Sequence, residues 1–200
     1  VAALTQVLLA VDDDERVFLG VDFPLGYPAG FAERFARGGA NWRAAWAAIT
    51  DEVVDSPTNE NNRFVAADRL NDRAGMSPGP FWGCPPGEAV GSLGAARPPT
   101  LFGLAEHRIV ERRLAGSGVA MPTVWQVHGP GAIGGAALLG IPVLRRLSEH
   151  PTLARRVRIW PFDTGCDLIP TRGSAGAIVV AQVWPGAFVP DEGTHSLREV

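Results

Sequence analysis

The chain has 200 residues, of which 46% are hydrophobic and 20% charged, a composition that excludes a disordered or fibrous protein. All 18 basic residues are arginine, which excludes Schiff-base lysines, kinase-type lysines and Walker-type phosphate loops, because each of them needs an ammonium group. The formal net charge of -3 gives no global attraction to nucleic acid.

The first two predicted elements are a helix and a strand. Apolar residues recur at helical spacing over residues 2–14, which predicts a helix with one buried face. Residues 16–23 (RVFLGVDF) form a short apolar run closed by a proline, which is typical of a strand buried on both faces. We expect this strand to be central in its sheet and to neighbour a strand at 177–184.

The middle of the chain is predicted to be helical. Asn41 is a good N-cap for a helix whose apolar face carries two tryptophans. The density of proline and glycine between residues 75 and 100 argues against regular structure. Residues 31–114 therefore form a mainly helical and loop insertion after the first strand. Its helices are expected at 31–37, 42–54, 63–73 and 104–114.

The second half has the pattern of an α/β protein. Strands are predicted at 123–128 (TVWQVH), 157–162 (VRIWPF) and 177–184 (AIVVAQVW). A helix is expected over residues 136–149, broken at Pro142. Four apolar strands with helices between them predict an α/β fold with a mixed sheet covered by helices, in one domain over residues 1–200.

Cysteine usage and hydropathy bear on location. Cys84 and Cys166 lack metal-ligand spacing, no segment resembles a signal peptide, and no apolar run approaches the roughly 20 residues of a membrane span. We therefore expect a cytoplasmic protein with unpaired thiols and no membrane partner. The chain opens at Val1 inside a predicted helix, so we also expect residues upstream of it.

Two aspartates follow predicted strands, where ligands collect in open α/β sheets. Asp22 stands within an apolar run, and a buried carboxylate is costly unless it is paired, hydrogen-bonded or metal-bound. A catalytic or metal-binding role for Asp22 and a structural role, in which it accepts hydrogen bonds from turn amides, both remain open. Asp163 ends the run VRIWPF in the same way and is a second candidate, with an Asp-initiated turn as the alternative.

A glycine turn precedes the predicted helix of the second half. Gly129, Gly131 and Gly134 match the spacing G-x-G-x-x-G, a dinucleotide-binding pattern when it joins a strand to a helix. Pro130 removes one amide donor from this turn. A plain tight turn between strand and helix is the alternative.

Polar residues cluster before the predicted helix at 63–73. Asn59, Asn62 and Arg63 are candidates for binding a sugar or a phosphate, and an asparagine-capped helix start is the alternative. His128 directly precedes the glycine turn and is a candidate acid, base or anion ligand. A histidine satisfied by a backbone carbonyl is the structural alternative. We expect Asp22 at the floor of the main polar cleft, within reach of this cluster.

Six blocks distributed over nearly the whole chain resemble a bacterial family of uncharacterised proteins with a ribonuclease H-like fold, whose members are often labelled cobalamin-biosynthesis or molybdopterin-guanine-dinucleotide-synthesis proteins. The blocks are VFLGVDFPLGYPAGF, NENNRFVAADRLN, GPFWGCP, VWQVHGPGAIGGAALLGIPVLRRL, IWPFDTG and VVAQVWPG.

The resemblance implies a phosphodiester-cleaving site with two divalent cations held by acidic residues. Asp22 is similar to the central-strand acid of such folds. The relatives begin with a hairpin whose first strand carries another Asp, and that hairpin is missing before Val1. Where they tend to have Glu near the end, this chain has Gln182, which adds no charge to a metal site.

Two functions follow as expectations. The first is a divalent-metal-dependent phosphoesterase or nuclease in which Asp22 and Asp163 hold Mg²⁺ or Mn²⁺ weakly, while Asn59, Asn62, Arg63 and Arg97 meet the phosphate of a small molecule or nucleic acid. The second is a non-hydrolytic protein that binds a nucleotide or a cofactor linked to cobalamin or molybdopterin metabolism, with the glycine turn and His128 as its anion site. The oligomeric state is left open.

Overall fold

A computed structural model of the chain describes residues 2–88, 91–115, 121–166 and 176–185. Within these ranges the chain alternates helices and strands, which makes it an α/β protein. The helices are α1 (Ala2–Leu9), α2 (Phe31–Phe35), α3 (Trp42–Glu52), α4 (Arg63–Arg73), α5 (Ile109–Leu114) and α6 (Gly134–Ser148). The strands are β1 (Val17–Val21), β2 (Val157–Ile159) and β3 (Ile178–Gln182). None of the described helices is long and apolar enough to cross a membrane.

The three strands form one sheet in the order β1-β3-β2, and both pairings are parallel. Val17 lies opposite Ile178 and Val21 opposite Gln182, so β1 and β3 pair along their full length. The expected contact between these two strands is confirmed. The sheet of the described residues is parallel throughout, whereas we expected a mixed sheet.

The position predicted for β1 is wrong: β3 occupies the centre of the sheet and β1 one side of it. Side chains in β1 alternate between partly buried and exposed, and the Phe18 side chain is 59% exposed. Val17, Leu19 and Val21 pack against the core while Phe18 and Gly20 face the solvent. The unbroken apolar run misleads because two of its solvent-facing residues are themselves apolar.

The strand predicted at 123–128 is not formed. Only an isolated bridge is present, in which Trp82 N donates to Trp125 O (3.0 Å) and Val127 N donates to Trp82 O (2.7 Å). Burial, not strand pairing, accounts for the apolar character of this segment, since Val124 and Trp125 are fully buried. We call residues 123–128 the buried segment below.

Helix α6 is continuous through Pro142, where we expected a break. A proline costs the helix one backbone hydrogen bond, but burial of a helix face can outweigh that loss. Leu138, Ile141 and Leu144 on α6 are all buried in the core. Tertiary packing therefore overrides the local signal of the proline.

The helices predicted in the middle segment are present, but the last of them begins at Ile109 and not at residue 104. The Asn41 side chain caps α3 by accepting from Ala44 N at 2.9 Å. Trp46 and Ile49 on α3 are buried, and α4 begins at Arg63 as predicted. These helices share one hydrophobic core with the sheet and α6. The sheet, α3, α4 and α6 therefore position the candidate sites together.

Candidate functional site

Asp22 follows β1 and lies exposed, not buried. Its carboxylate makes no hydrogen bond or ion pair with the other residues that the structure describes. Gln182 lies opposite Val21 at the end of β3, so these two candidates are neighbours at the carboxyl edge of the sheet. We expected a buried Asp22 carboxylate, and this prediction is wrong, because the residue is exposed. Its expected place in the main polar cleft stays a prediction, although the cleft between α3, the end of α6 and β2 is lined by Asp163 and not by Asp22.

Asp163 forms hydrogen bonds with Ile159, the last residue of β2. Its Oδ2 accepts from Ile159 N at 2.9 Å, and its own N donates to Ile159 O at 2.8 Å. Its Oδ1 accepts from Arg43 Nη2 at 2.7 Å. Both carboxylate oxygens thus have protein donors, and the structure supports the turn-forming role that the sequence left as an alternative.

The described residues do not fit a two-cation centre. Asp22 and Asp163 lie on opposite sides of β3, and neighbouring strands stand about 4.8 Å apart, so β1 and β2 are separated by about 10 Å. Arg43 already neutralises Asp163. The described part of the chain contains no group of three or more His, Cys, Asp or Glu side chains that could hold a metal ion. The described residues therefore provide no site suited to Mg²⁺ or Mn²⁺.

The asparagines before α4 have structural partners. Asn62 Oδ1 accepts from Val54 N at 2.7 Å, and Asn62 Nδ2 donates to Glu52 O at 2.9 Å, so this side chain joins the end of α3 to the start of α4. Asn59 has a φ of 66° and occupies a tight turn. The Asn62 side chain is therefore occupied by backbone contacts.

The Arg97 side chain is already paired with Glu106. Its Nε and Nη2 donate to both carboxylate oxygens of Glu106 at 3.0 and 2.8 Å. This paired and exposed geometry leaves no reason in the structure to assign Arg97 to a phosphate site.

Arg63, His128 and the glycine turn come together at the start of α6, although 65 residues separate Arg63 from His128 in the sequence. The Arg63 guanidinium lies over the Phe64 ring at 4.4 Å, and the His128 ring contacts the same ring edge to face with a centroid distance of 5.9 Å. We call this group, with the first turn of α6, the glycine-turn site.

Two glycines allow the start of α6 to pack this closely. A Cβ at Gly134 would lie 2.4 Å from Val124 O, and a Cβ at Gly135 would lie 2.7 Å from Val127 O and 3.5 Å from Arg63 Cδ. Glycine at these positions lets the helix rest on the buried segment while the Arg63 side chain crosses its first turn. Gly129 and Gly131, with φ of 109° and 72°, shape the turn itself.

Two amides in the first turn of α6 have no hydrogen-bond acceptor among the described residues, one on buried Gly135 and one on exposed Ala136. Gly134 N donates to Gln126 O at 2.8 Å, and the intrahelical bonds begin with Ala137 N, which donates to Ile133 O. Gly135 N and Ala136 N lie between them and have no acceptor among the described residues. Free amides, the positive end of the helix dipole and a guanidinium favour a negatively charged group at this position.

Sequence reasoning identified Arg63, His128 and the glycines but not their common partner. Phe64 was missed, because an aromatic residue in the first turn of a helix carries no local signal of a tertiary contact. The dinucleotide pattern in its full form is not present, since no strand leads into the turn. Its third glycine nevertheless provides close packing at the helix start, as it would in that pattern.

Comparisons of the chain with protein-family models, with curated proteins and with solved structures give no match. Function is therefore inferred from the chemistry of the site.

Proposed function

We propose that this protein binds a phosphate-bearing small molecule, such as a nucleotide or a nucleotide-like cofactor, at the glycine-turn site. One observation carries the proposal: Arg63 Cδ and Nε lie 3.5 and 3.8 Å from the Cβ position of Gly135, in the helix turn whose Gly135 and Ala136 amides have no described acceptor. Arg63 Nη1 donates to Asn61 Oδ1 at 2.9 Å, which fixes the guanidinium and leaves other N–H groups for the ligand.

Each residue has a separate task in this proposal. The amides of Gly135 and Ala136 donate to phosphate oxygens, and Arg63 supplies the positive charge. His128 is exposed at the rim of the site and is placed to donate to a second oxygen of the ligand. Phe64 holds Arg63 and His128 apart by contacting both. All of these residues bind the ligand, and we propose no bond cleavage at this site.

The resemblance to the ribonuclease H-like family remains a proposal about the fold. It is supported by the parallel pair β1 and β3, with Asp22 at its carboxyl end. Within that proposal, a metal-dependent phosphoesterase would need acidic ligands beyond the described residues. A cytoplasmic location is proposed as well, and the free thiols of Cys84 and Cys166 support it.

Calorimetric titration of pyrophosphate into the wild type and two variants tests the binding site. Arg63→Gln removes the charge, so we expect pyrophosphate to bind about tenfold more weakly. Arg69→Gln is the matched control, because Arg69 lies on the same helix, 60% exposed and paired with Glu52. It should leave the affinity unchanged. Equal affinity of wild type and Arg63→Gln, or no binding by the wild type, would overturn the proposal.

A further inference from the structure

A cleft of about 280 Å³ lies between α3, the end of α6 and β2, and its lining is rich in arginine. Three guanidinium groups, from Arg43, Arg145 and Arg158, line it together with the carboxylates of Glu149 and Asp163. We call it the arginine cleft. Ion pairing accounts for two of the three arginines, since Arg43 pairs with Asp163 at 2.7 Å and Arg145 with Glu149 at 2.9 Å.

Arg158 is the cleft arginine for which the described residues provide no counter-ion. Its Nη1 donates to the carbonyl of Val157 at 2.8 Å, and it forms no ion pair with the described residues. The cleft lining has three arginines and two carboxylates, and Asp51 adds a third carboxylate 4.0 Å from Arg145 Nη1. The Arg158 side chain is partly buried. A partly buried positive charge without a partner is costly, and an anionic ligand would remove that cost.

Neighbouring contacts keep Arg43 in place. The Arg43 guanidinium stacks over the Trp42 ring at 4.1 Å, and Phe162 stacks against Trp42 at 5.3 Å. Asp163 is itself fixed to Ile159 N, so the Arg43 donors are anchored from two directions. Arginines restrained in this way lose little conformational freedom when they bind an anion.

The arginine cleft is separate from the glycine-turn site. The two sites lie at opposite ends of α6, whose 15 residues span about 22 Å at 1.5 Å each. One small molecule cannot occupy both. The volume of the cleft is near the lower end of the range for small-molecule sites, so its occupant must be small.

We propose that the arginine cleft is a second ligand site, for a small molecule that carries one carboxylate or phosphate group held by Arg158 and Arg43. The anionic group forms charge-assisted hydrogen bonds with the two guanidinium groups. Carboxylate and phosphate share this chemistry, and the titrations below distinguish them.

Side-chain Nε–Hε NMR signals of the arginines give a direct test when inorganic phosphate or acetate is titrated into Arg63→Gln. This background removes the guanidinium of the glycine-turn site. We expect the signals of Arg158 and Arg43 to move with saturation, and the tighter of the two anions defines the ligand class. In Arg158→Gln, which keeps a donor for the Val157 carbonyl, the affinity should fall about tenfold. Arg97→Gln, outside the cleft, should leave it unchanged.

Asp163→Asn supplies a test that loss of structure cannot mimic. The amide oxygen can still accept from Ile159 N, while the net charge of the cleft rises by one, so anions should bind several-fold more tightly. Arginine signals that do not respond to either anion, or an unchanged affinity in Arg158→Gln, would overturn the proposal. The proposed function is tested by a different measurement: if it is wrong, wild type and Arg63→Gln bind pyrophosphate equally.

Discussion

At the scale of single residues, the polar groups that the core encloses are the most informative. Arg156 is only 8% exposed, and its guanidinium donates to the carbonyls of Gly176 (2.6 Å), Asp12 (2.8 Å) and Val11 (3.1 Å). It thereby joins the loop after α1 to the residues preceding β3. Tyr27 is the opposite case: its hydroxyl is buried and has no hydrogen-bond partner in the described part of the chain.

Replacing Arg156 by methionine should lower the free energy of unfolding by about 3 kcal/mol, because several carbonyls lose a charged donor. Arg155→Met is the matched control. Arg155 is 65% exposed and pairs at 2.8 Å with Asp13, which Arg156 also contacts at 3.3 Å, so its loss should cost under about 1 kcal/mol. Urea unfolding of both variants provides the measurement. Similar losses in both would mean that the Arg156 contacts contribute no more than a surface ion pair.

Tyr27→Phe should stabilise the protein by about 1 kcal/mol at neutral pH, because the hydroxyl is buried without a partner. The ring itself stays packed against Phe31 and Trp125. Burial also raises the pKa of Tyr27 far above its ordinary value, an effect that Arg108 partly offsets. The unfolded chain therefore releases this proton first as the pH rises.

The pH dependence of Tyr27→Phe follows from that shift. The stability contributed by neutral Tyr27 is fully present below its unfolded pKa of about 10 and is lost as the pH rises above it. The variant should lose less stability than the wild type over that interval. Tyr27 is the chain's single tyrosine, so tyrosinate absorbance reports it directly. Formation of tyrosinate near pH 10 in the folded protein would contradict the assignment.

At the scale of elements, contacts between distant segments determine what the sequence can predict. Asn41 and the apolar face of α3 lie within a few residues of each other, so local rules place this helix correctly. The buried segment was misread as a strand because its partner, Trp82, lies more than 40 residues earlier. The sequence likewise predicts a buried Phe18, and only the order of the strands explains why its side chain is exposed.

Gly134→Ala tests how α6 rests on the buried segment. The added methyl group would lie 2.4 and 2.6 Å from the carbonyl oxygens of Val124 and Gln126. Relief of these contacts requires the backbone to shift, which costs more free energy than a side-chain movement. We expect a loss of about 2 to 4 kcal/mol in thermal or urea unfolding. Gly38→Ala, where the methyl group meets nothing within 4 Å, should change stability by less than about 0.5 kcal/mol. A tolerated Gly134→Ala would show that α6 can move away from the buried segment.

At the scale of the whole molecule, the α/β class and most elements follow from the sequence, whereas the candidate sites follow only in part. The polar residues Arg63 and His128 were identified by type, but their convergence on Phe64 depends on how α4 packs beside α6. Arg43, Arg145 and Arg158 gave no sequence signal, since they are ordinary arginines scattered over 116 positions. Only the folded chain brings these three arginines into one cleft.

The most direct test of phosphate binding at the start of α6 is an NMR titration of the wild type with pyrophosphate. We expect the backbone amides of Gly135 and Ala136 and the Nε–Hε signal of Arg63 to shift together along one binding curve. Arg69 and Arg97 should stay unshifted, because each is paired with a glutamate outside the site. A titration in which the α6 amides and Arg63 do not respond at saturating pyrophosphate would contradict the proposed function.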